Sequence, residues 1–352
     1  MDTLTQMALG AVIGQAVGYK KLGPKAAVYG ALGGLIPDLD VIPLPYLGPY
    51  AEWLYHRQIT HALIFAPLLA PLIGWLTWFA HKKIAGEYPY HVLVWGLALF
   101  THPLLDALTV YGTQLFYPFS SARISIPAVS IIDPVYTLIL FTALIAASFR
   151  RWRDHLPKIS AIALALSTLF LAYGYWQNVK AERIAAAQMA EQNITPDRVR
   201  VYTTIFQPYL RRIVVRETIG DDEWLRVGFV SALNPQPIKW LCRKEDTGQR
   251  EAILQTRGGS LFRWFSGDEL SYAKNGPFVL VTDARYGTPG PSVFGFWGLE
   301  YRTNAGIVDV AAEPAYIHLP RDASRRAIGE LFRAALGWPN DFLPEQDTHC
   351  PQ

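Results

Sequence analysis

The sequence predicts an α-helical membrane bundle of about five to six membrane segments followed by a β-rich α+β domain outside the membrane. Three observations predict it. Up to about Trp176 the chain is a series of long apolar runs broken by Pro, Gly and basic clusters. Lys and Arg concentrate in alternate loops between those runs. From about Arg198 onwards, short stretches rich in β-branched and aromatic residues alternate with turn residues. The resulting division is a membrane-embedded helical domain over 1–176, a linker or helical extension over 177–197, and a β-rich extracytoplasmic domain over 198–352.

A bilayer-crossing helix needs roughly 20 mostly apolar residues. Segments of about 61–80, 91–111, 131–149 and 158–176 meet that standard well. Residues 4–19 are Gly- and Ala-rich and a little short, and residues 26–42 are apolar until they reach Pro37-Asp38-Leu39-Asp40. This first pair reads either as full spans or as a re-entrant pair. Asp2 follows Met1 without a basic n-region, so no cleavable signal is expected. Lys20, Lys21, Lys25, Lys82, Lys83, Arg150, Arg151, Arg153 and Lys158 fall in one set of loops, against only Arg57 and Arg123 in the other. Basic loops stay cytoplasmic. The expectation is therefore a multi-pass protein of the bacterial inner membrane whose C-terminal domain lies in the periplasm.

In that domain RVRVYTTIF, RRIVVRET, EWLRVGFV, PIKWLC, FVLVTDARYG and VFGFWGLEYR read as strands of a mostly antiparallel sheet, with Thr288-Pro-Gly-Pro as one turn and a helix near 321–336. It holds no nucleophile elbow or phosphate loop, and its Trp and Tyr residues read as core. The net charge of +3, with no basic stripe interleaved with aromatics, gives no reason to expect a nucleic-acid partner. Cys242 and Cys350 are the only cysteines. Two thiols cannot build a thiolate zinc cage; a single disulfide and two free thiols both stay open.

Ionisable residues inside membrane segments are expensive and mark function by default. Here they form a pattern: Asp2 and Gln6 at i and i+4, Asp38 and Asp40 ending the second segment, His56 and His61 around Arg57 and Thr60, His102 and Asp106 at i and i+4, and Asp133 opening the fifth. On the topology set by Lys and Arg alone, every one lies at the outer end or outer half of its segment. Helix bundles build metal sites from side chains that converge in this way. Imidazole with carboxylate oxygen suits a divalent metal, zinc first and manganese or iron as alternatives, as one or two ions. In a continuous helix His56 and His61 would lie about 140° apart, so they converge only if a helix starts between them, with Thr60 as its cap. Asp2 and Asp133 also read as helix caps, Gln6 as an interhelical hydrogen-bonding residue, and His81 and His91 as surface residues.

The segments MDTLTQMALGAVIGQAVG, GGLIPDLDVI, HRQITHAL, FTHPLLDALTVYGTQLFYPFS and IIDPVYTL, in this order, resemble the LexA-regulated inner-membrane metal-dependent hydrolase family (YdjM-like) over roughly residues 1–176. The resemblance implies a membrane-bound, metal-dependent hydrolase, with a relationship to zinc-dependent phospholipases C and P1-type nucleases that points to phosphoesters. Carried over by position, the implied ligands are Asp38, Asp40, His56, His61, His102 and Asp106. Many relatives have His where this chain has Gln6.

The expected function is thus metal-dependent hydrolysis of a phosphoester or lipid-linked substrate at the outer face of the inner membrane. Asp38 or Asp40 would serve as ligand or general base, and Arg57 or Arg123 would neutralise an anionic substrate. The expected partners are the bilayer and a small-molecule or lipid substrate. The alternative is a non-enzymatic metal-binding membrane protein, in transport or sensing.

Overall fold

The computed structural model describes residues 1–287, 295, 297–319, 324–343, 347, 350 and 351. They form two compact units, Met1–Tyr175 and Trp176–Gln352.

The first unit opens with α1 (Thr3–Leu22) and α2 (Lys25–Leu35), joined through Gly23 at φ +61°. Asp2 caps α1, its side chain accepting the Thr5 N–H, and Lys20 and Lys21 in the last turn complement the helix dipole. The two helices touch along glycines: a Cβ on Gly10 would stand 2.0 Å from the Gly30 carbonyl oxygen, and one on Gly30 would stand 1.9 Å from that of Gly10. Small residues four apart let helix backbones approach this closely where lipid offers no hydrophobic drive.

Past α2 the backbone tightens into 3₁₀ turns, Ile36–Val41 and Leu44–Tyr46. Pro37, Pro43 and Pro45 supply no N–H to continue an α-helix there. A short α3 (Ala51–Tyr55) is followed by Arg57 at φ +62°, a 3₁₀ turn over Ile59–His61, and then α4 (Phe65–Ala80). Ala51–His61 and α4 meet at a bend of 63°. Helix α5 (Tyr88–Ala107) packs on α4, α1 and α2. After an irregular stretch pinned by the Thr113–Ile124 bridge come α6 (Pro134–Ala146) and α7 (Leu156–Glu191). Asp133 caps α6 by accepting the N–H groups of Val135 and Tyr136. One core gathers Leu9, Val12, Leu105, Tyr136 and Leu140; another gathers Ala66, Ala70, Trp95 and Leu99.

The expected five to six membrane segments are not supported. Among the described residues two stretches, Lys25–Tyr46 and Arg150–Glu191, are long and apolar enough to cross a membrane, and a third is reached if the bent pair of Ala51–His61 and Phe65–Ala80 counts as one span. The reason lies in composition and length. Helix α1 is diluted by Gly, Gln and Thr, and α5 by His91, His102, Asp106 and Pro103. Those polar groups on α5 are buried within the protein. Helix α6 has 13 residues, roughly 20 Å against a hydrocarbon core of about 30 Å.

The second unit is β-rich. Strands β1 (Arg198–Thr203), β2 (Leu210–Ile219), β3 (Asp222–Ser231) and β4 (Leu241–Lys244) form an antiparallel meander in that order. Pairing of Ile219 with Asp222 leaves Gly220, at φ +61°, in a two-residue hairpin turn. Two helices that the periodicity does not announce follow, α8 (Arg250–Gln255) and α9 (Arg257–Ser266). The second sheet holds β5 (Leu270–Asn275), also unannounced, β6 (Phe278–Asp283), β7 (Trp297–Asn304) and β8 (Ile307–Val308), with β9 (Ala315–His318) paired to β7. Helix α10 (Arg325–Ala335) begins at the Ser324 cap.

The Thr288-Pro-Gly-Pro turn and residues 321–323 of the expected last helix lie outside the described residues. Trp240, Tyr272 and Tyr301 are buried, consistent with a core role. Cys242 and Cys350 are joined in a disulfide, which resolves the alternative that the sequence left open. Buried Glu269 is raised above the ordinary carboxyl range by desolvation, opposed by Arg216 and Arg198.

Candidate metal centre

Among the described residues one group of His, Cys, Asp or Glu converges on a common point: Asp38, His61, His102 and Asp106. Three structural elements deliver it. The 3₁₀ turn after α2 presents Asp38, the 3₁₀ turn before α4 presents His61, and one face of α5 presents His102 and Asp106 at i and i+4.

The four ligand atoms lie within 4.8 Å of one another, and each imidazole nitrogen is at coordination-edge distance from the other three. His61 Nε2 and His102 Nε2 lie 3.1 Å apart. His61 Nε2 is 3.6 Å from Asp38 Oδ1 and 3.2 Å from Asp106 Oδ2. His102 Nε2 is 3.4 Å from Asp38 Oδ1 and 3.6 Å from Asp106 Oδ2. A tetrahedral ion with bonds of about 2.0–2.1 Å has ligand–ligand edges of about 3.3–3.4 Å.

The surroundings fix the direction of each imidazole. His102 Nδ1 donates to the Gly34 carbonyl at 2.7 Å, which leaves the Nε2 lone pair facing inward. His61 Nδ1 lies 3.3 Å from Asp40 Oδ2 and 3.0 Å from the Thr60 hydroxyl, and that hydroxyl donates to Asp40 at 2.8 Å. The two Nε2 atoms, 3.1 Å apart, need a proton or a metal cation between them, and Asp106 Oδ2 faces them from 3.2 and 3.6 Å while Arg57 Nε flanks it at 3.1 Å. The donor set of two imidazoles and two carboxylates therefore fits a divalent ion.

Asp40 and His56 stand outside this group of four. They pair at 2.8 Å, so Asp40 bridges His56, His61 and Thr60. His56 and His61 do approach, with ring centroids 5.7 Å apart. They do so through the left-handed Arg57 between them; Thr60 caps no helix. With that backbone, the Arg57 N–H reaches Asp40 at 3.1 Å while its guanidinium reaches Asp106 at 3.1 Å and Thr109 at 3.2 Å. A positive φ on a non-glycine residue at such a point is strain that the surrounding contacts must hold. Arg123 is turned elsewhere, donating to the carbonyls of Trp53 and Gly112.

Gln6 donates to Asp106 Oδ1 at 3.1 Å and to the His102 carbonyl, an interhelical role. Asp2 and Asp133 act as caps. Four contributors escaped the sequence reading: the Thr3 hydroxyl, 2.8 Å from Asp38; the Met1 amine, which donates to Asp106; Thr109; and the Gly34 carbonyl. Backbone groups carry no side-chain signal, but a Thr three residues from Gln6 could have been noticed. His91, read as a surface residue, is fully buried, because α4 and Tyr29 cover that end of α5.

Apolar helices of membrane-crossing length, with a largely buried cluster of two His and two Asp whose ligand atoms lie within 4.8 Å of one another, define a membrane protein with a candidate metal centre. The chain belongs to the YdjM inner membrane protein family, which it matches over residues 1–181. It is also similar to the inner membrane protein YbcI of Escherichia coli (strain K12), with 31% identity over 129 residues that cover 35% of this chain and 71% of that protein. No solved structure matches. All four residues of the centre fall within the family match, and most of the β-rich unit lies beyond it.

Proposed function

We propose that this centre is that of a divalent-metal hydrolase, zinc being the ion its donors suit best, acting on a phosphoester or lipid-linked substrate at the outer face of the inner membrane. The observation that carries the reading is the set of four ligand atoms within 4.8 Å of one another, with Asp40 and Arg57 packed around it. A divalent ion held there supplies Lewis acidity, polarising a phosphoryl oxygen and making water a nucleophile near neutral pH.

The protein's own groups divide the remaining work. Asp38 is the one partly exposed member of the four, so it is the carboxylate that can give way to water and take up its proton. Asp40 keeps His61 oriented. Arg57 offsets the charge of Asp106 and limits the negative potential that an anionic substrate would meet.

One feature favours the alternative of a non-enzymatic metal site: there are four candidate protein ligands, the number found in closed structural sites. The two readings separate by assay. Purified protein is expected to carry about one equivalent of zinc per chain at this centre and to hydrolyse a phosphodiester or phospholipid, with turnover abolished in Asp38→Asn. Bound zinc with no turnover across a panel of such substrates would remove the hydrolase reading and leave the sensing or transport one.

Orientation is proposed on two grounds. Arg150, Arg151 and Arg153 stand at the start of the long apolar stretch that ends at Glu191, which favours a cytoplasmic start and a periplasmic end. The Cys242–Cys350 disulfide suits an oxidising compartment. An alkaline phosphatase fusion at the C-terminus should be active; activity of a cytoplasmic reporter there instead would reverse the topology.

A further inference from the structure

A second cluster of metal-binding side chains lies on the same helices, away from the first. His91 is on α5, eleven residues before His102, which is about 16 Å along the helix axis. His81 follows the last turn of α4, and Tyr29 lies on α2. The rings converge: His81 and His91 have centroids 5.3 Å apart, and Tyr29 stands 5.5 Å from each.

The hydrogen bonds decide which nitrogens are free. The Thr77 hydroxyl gives its one proton to the carbonyls of Ile73 and Gly74, at 2.9 and 3.1 Å. With its proton spent there, it accepts from His91 Nδ1, 2.9 Å away. In that tautomer His91 Nε2 carries a lone pair. This atom is fully buried and has no hydrogen-bond partner. His81 Nε2 shares a proton with the Tyr29 hydroxyl at 2.5 Å. An imidazole whose distal N–H is held by a protein oxygen, with its other nitrogen left bare, is the arrangement of a metal ligand.

We propose that His81, His91 and Tyr29 form a second metal site for a borderline-soft divalent ion such as zinc or cobalt, with His91 Nε2 and His81 Nε2 as nitrogen ligands and the Tyr29 oxygen as the third. Binding at His81 Nε2 displaces the proton that it shares with Tyr29, and that proton leaves to solvent. Because His81 closes a loop that continues through Lys82 and Lys83, it can make the shift of roughly 0.8–0.9 Å that separates the present 2.5 Å contact from a ligand–ligand edge. Lys25 and Glu87, of opposite sign, are the charged groups whose fields reach His81. The site is independent of the hydrolytic reading, since it shares no ligand with the first centre.

The test is a cobalt titration of the full chain in detergent, followed by equilibrium dialysis and visible absorption, with proton release measured alongside. His81→Ala and Tyr29→Phe are the deciding variants, because neither empties the interior as His91→Ala does. We expect His81→Ala to lose one equivalent of bound cobalt relative to wild type, with the melting profile of the metal-free protein retained. Tyr29→Phe should bind that equivalent at least tenfold more weakly and release one proton fewer. A His61→Ala/His102→Ala variant should keep this equivalent while losing the first. Stoichiometry unchanged in His81→Ala, or a His61→Ala/His102→Ala variant that binds no cobalt while still folded, would overturn the proposal.

Discussion

Replacing His61 and His102 together by alanine, in a protein whose second cluster is disabled by His81→Ala, is expected to strip the metal from the first centre, so that zinc content falls from about one equivalent to below about a tenth. The physical reason is that the two imidazoles are half of the donor set and its only nitrogens. The remaining carboxylates, Asp38 and Asp106, already have other partners in Thr3, Gln6 and Arg57. A graded series sharpens the test. Asp40→Asn keeps all four ligand atoms but weakens the hold on His61 Nδ1, and loss of such a supporting carboxylate costs about 10–100-fold in metal affinity. His56→Ala acts one contact further out, through Asp40, and should cost less still. Metal analysis of the purified variants checks the order. Full zinc retention in the double variant, with the second cluster disabled by His81→Ala, would remove Asp38, His61, His102 and Asp106 from consideration as a metal site.

The second large effect is expected at Gly30. A methyl group there would overlap the Gly10 carbonyl oxygen at 1.9 Å. The clashing atom is backbone in a helix, so no rotamer change relieves it, and α1 and α2 must separate. Overpacking of this kind costs about 1–3 kcal/mol, and in a unit of this size each kcal/mol lowers the melting temperature by about 2–4 °C. Separation also moves the metal centre, because Gln6 on α1 donates to Asp106 and the Gly34 carbonyl on α2 receives His102. Gly30→Ala should therefore lose thermal stability and zinc affinity together. Gly96→Ala is the matched control: its added methyl meets only Ala70 Cβ at 3.5 Å, and a helical Gly-to-Ala change in open space is neutral or favourable by about 0.5–1 kcal/mol. Equal melting temperatures for the two variants would mean that the glycine contact is not what holds α1 to α2.

The comparison of these two sites shows what a sequence reader can and cannot see. His102 and Asp106 were legible because helical periodicity places i and i+4 on one face whatever surrounds them. Asp38 and Asp40 were legible as a pair out of place in an apolar run, but their different fates were not. In the 3₁₀ turn one carboxylate enters the ligand set and its neighbour two residues on supports His56 and His61 from outside. The number of spans was overread for a related reason. Hydropathy along the chain does not reveal which apolar helices face lipid and which, like α1, bury their Gly-rich face against another helix. His91 was misjudged because a loop-flanking position carries no sign of the helix that will cover it.

By itself, then, the sequence determined the local and additive properties. These are the apolar first half, the β-rich second half and the residue types available for metal binding, since each follows from composition or period. Only the tertiary structure decided which of those residues meet. Convergence of Asp38, His61, His102 and Asp106 depends on 3₁₀ turns, on a left-handed Arg57 and on backbone contacts such as Gly10 with Gly30. Those are consequences of packing between segments far apart in the chain. No local period encodes the distance between two nitrogens 41 residues apart in sequence that close to 3.1 Å in space.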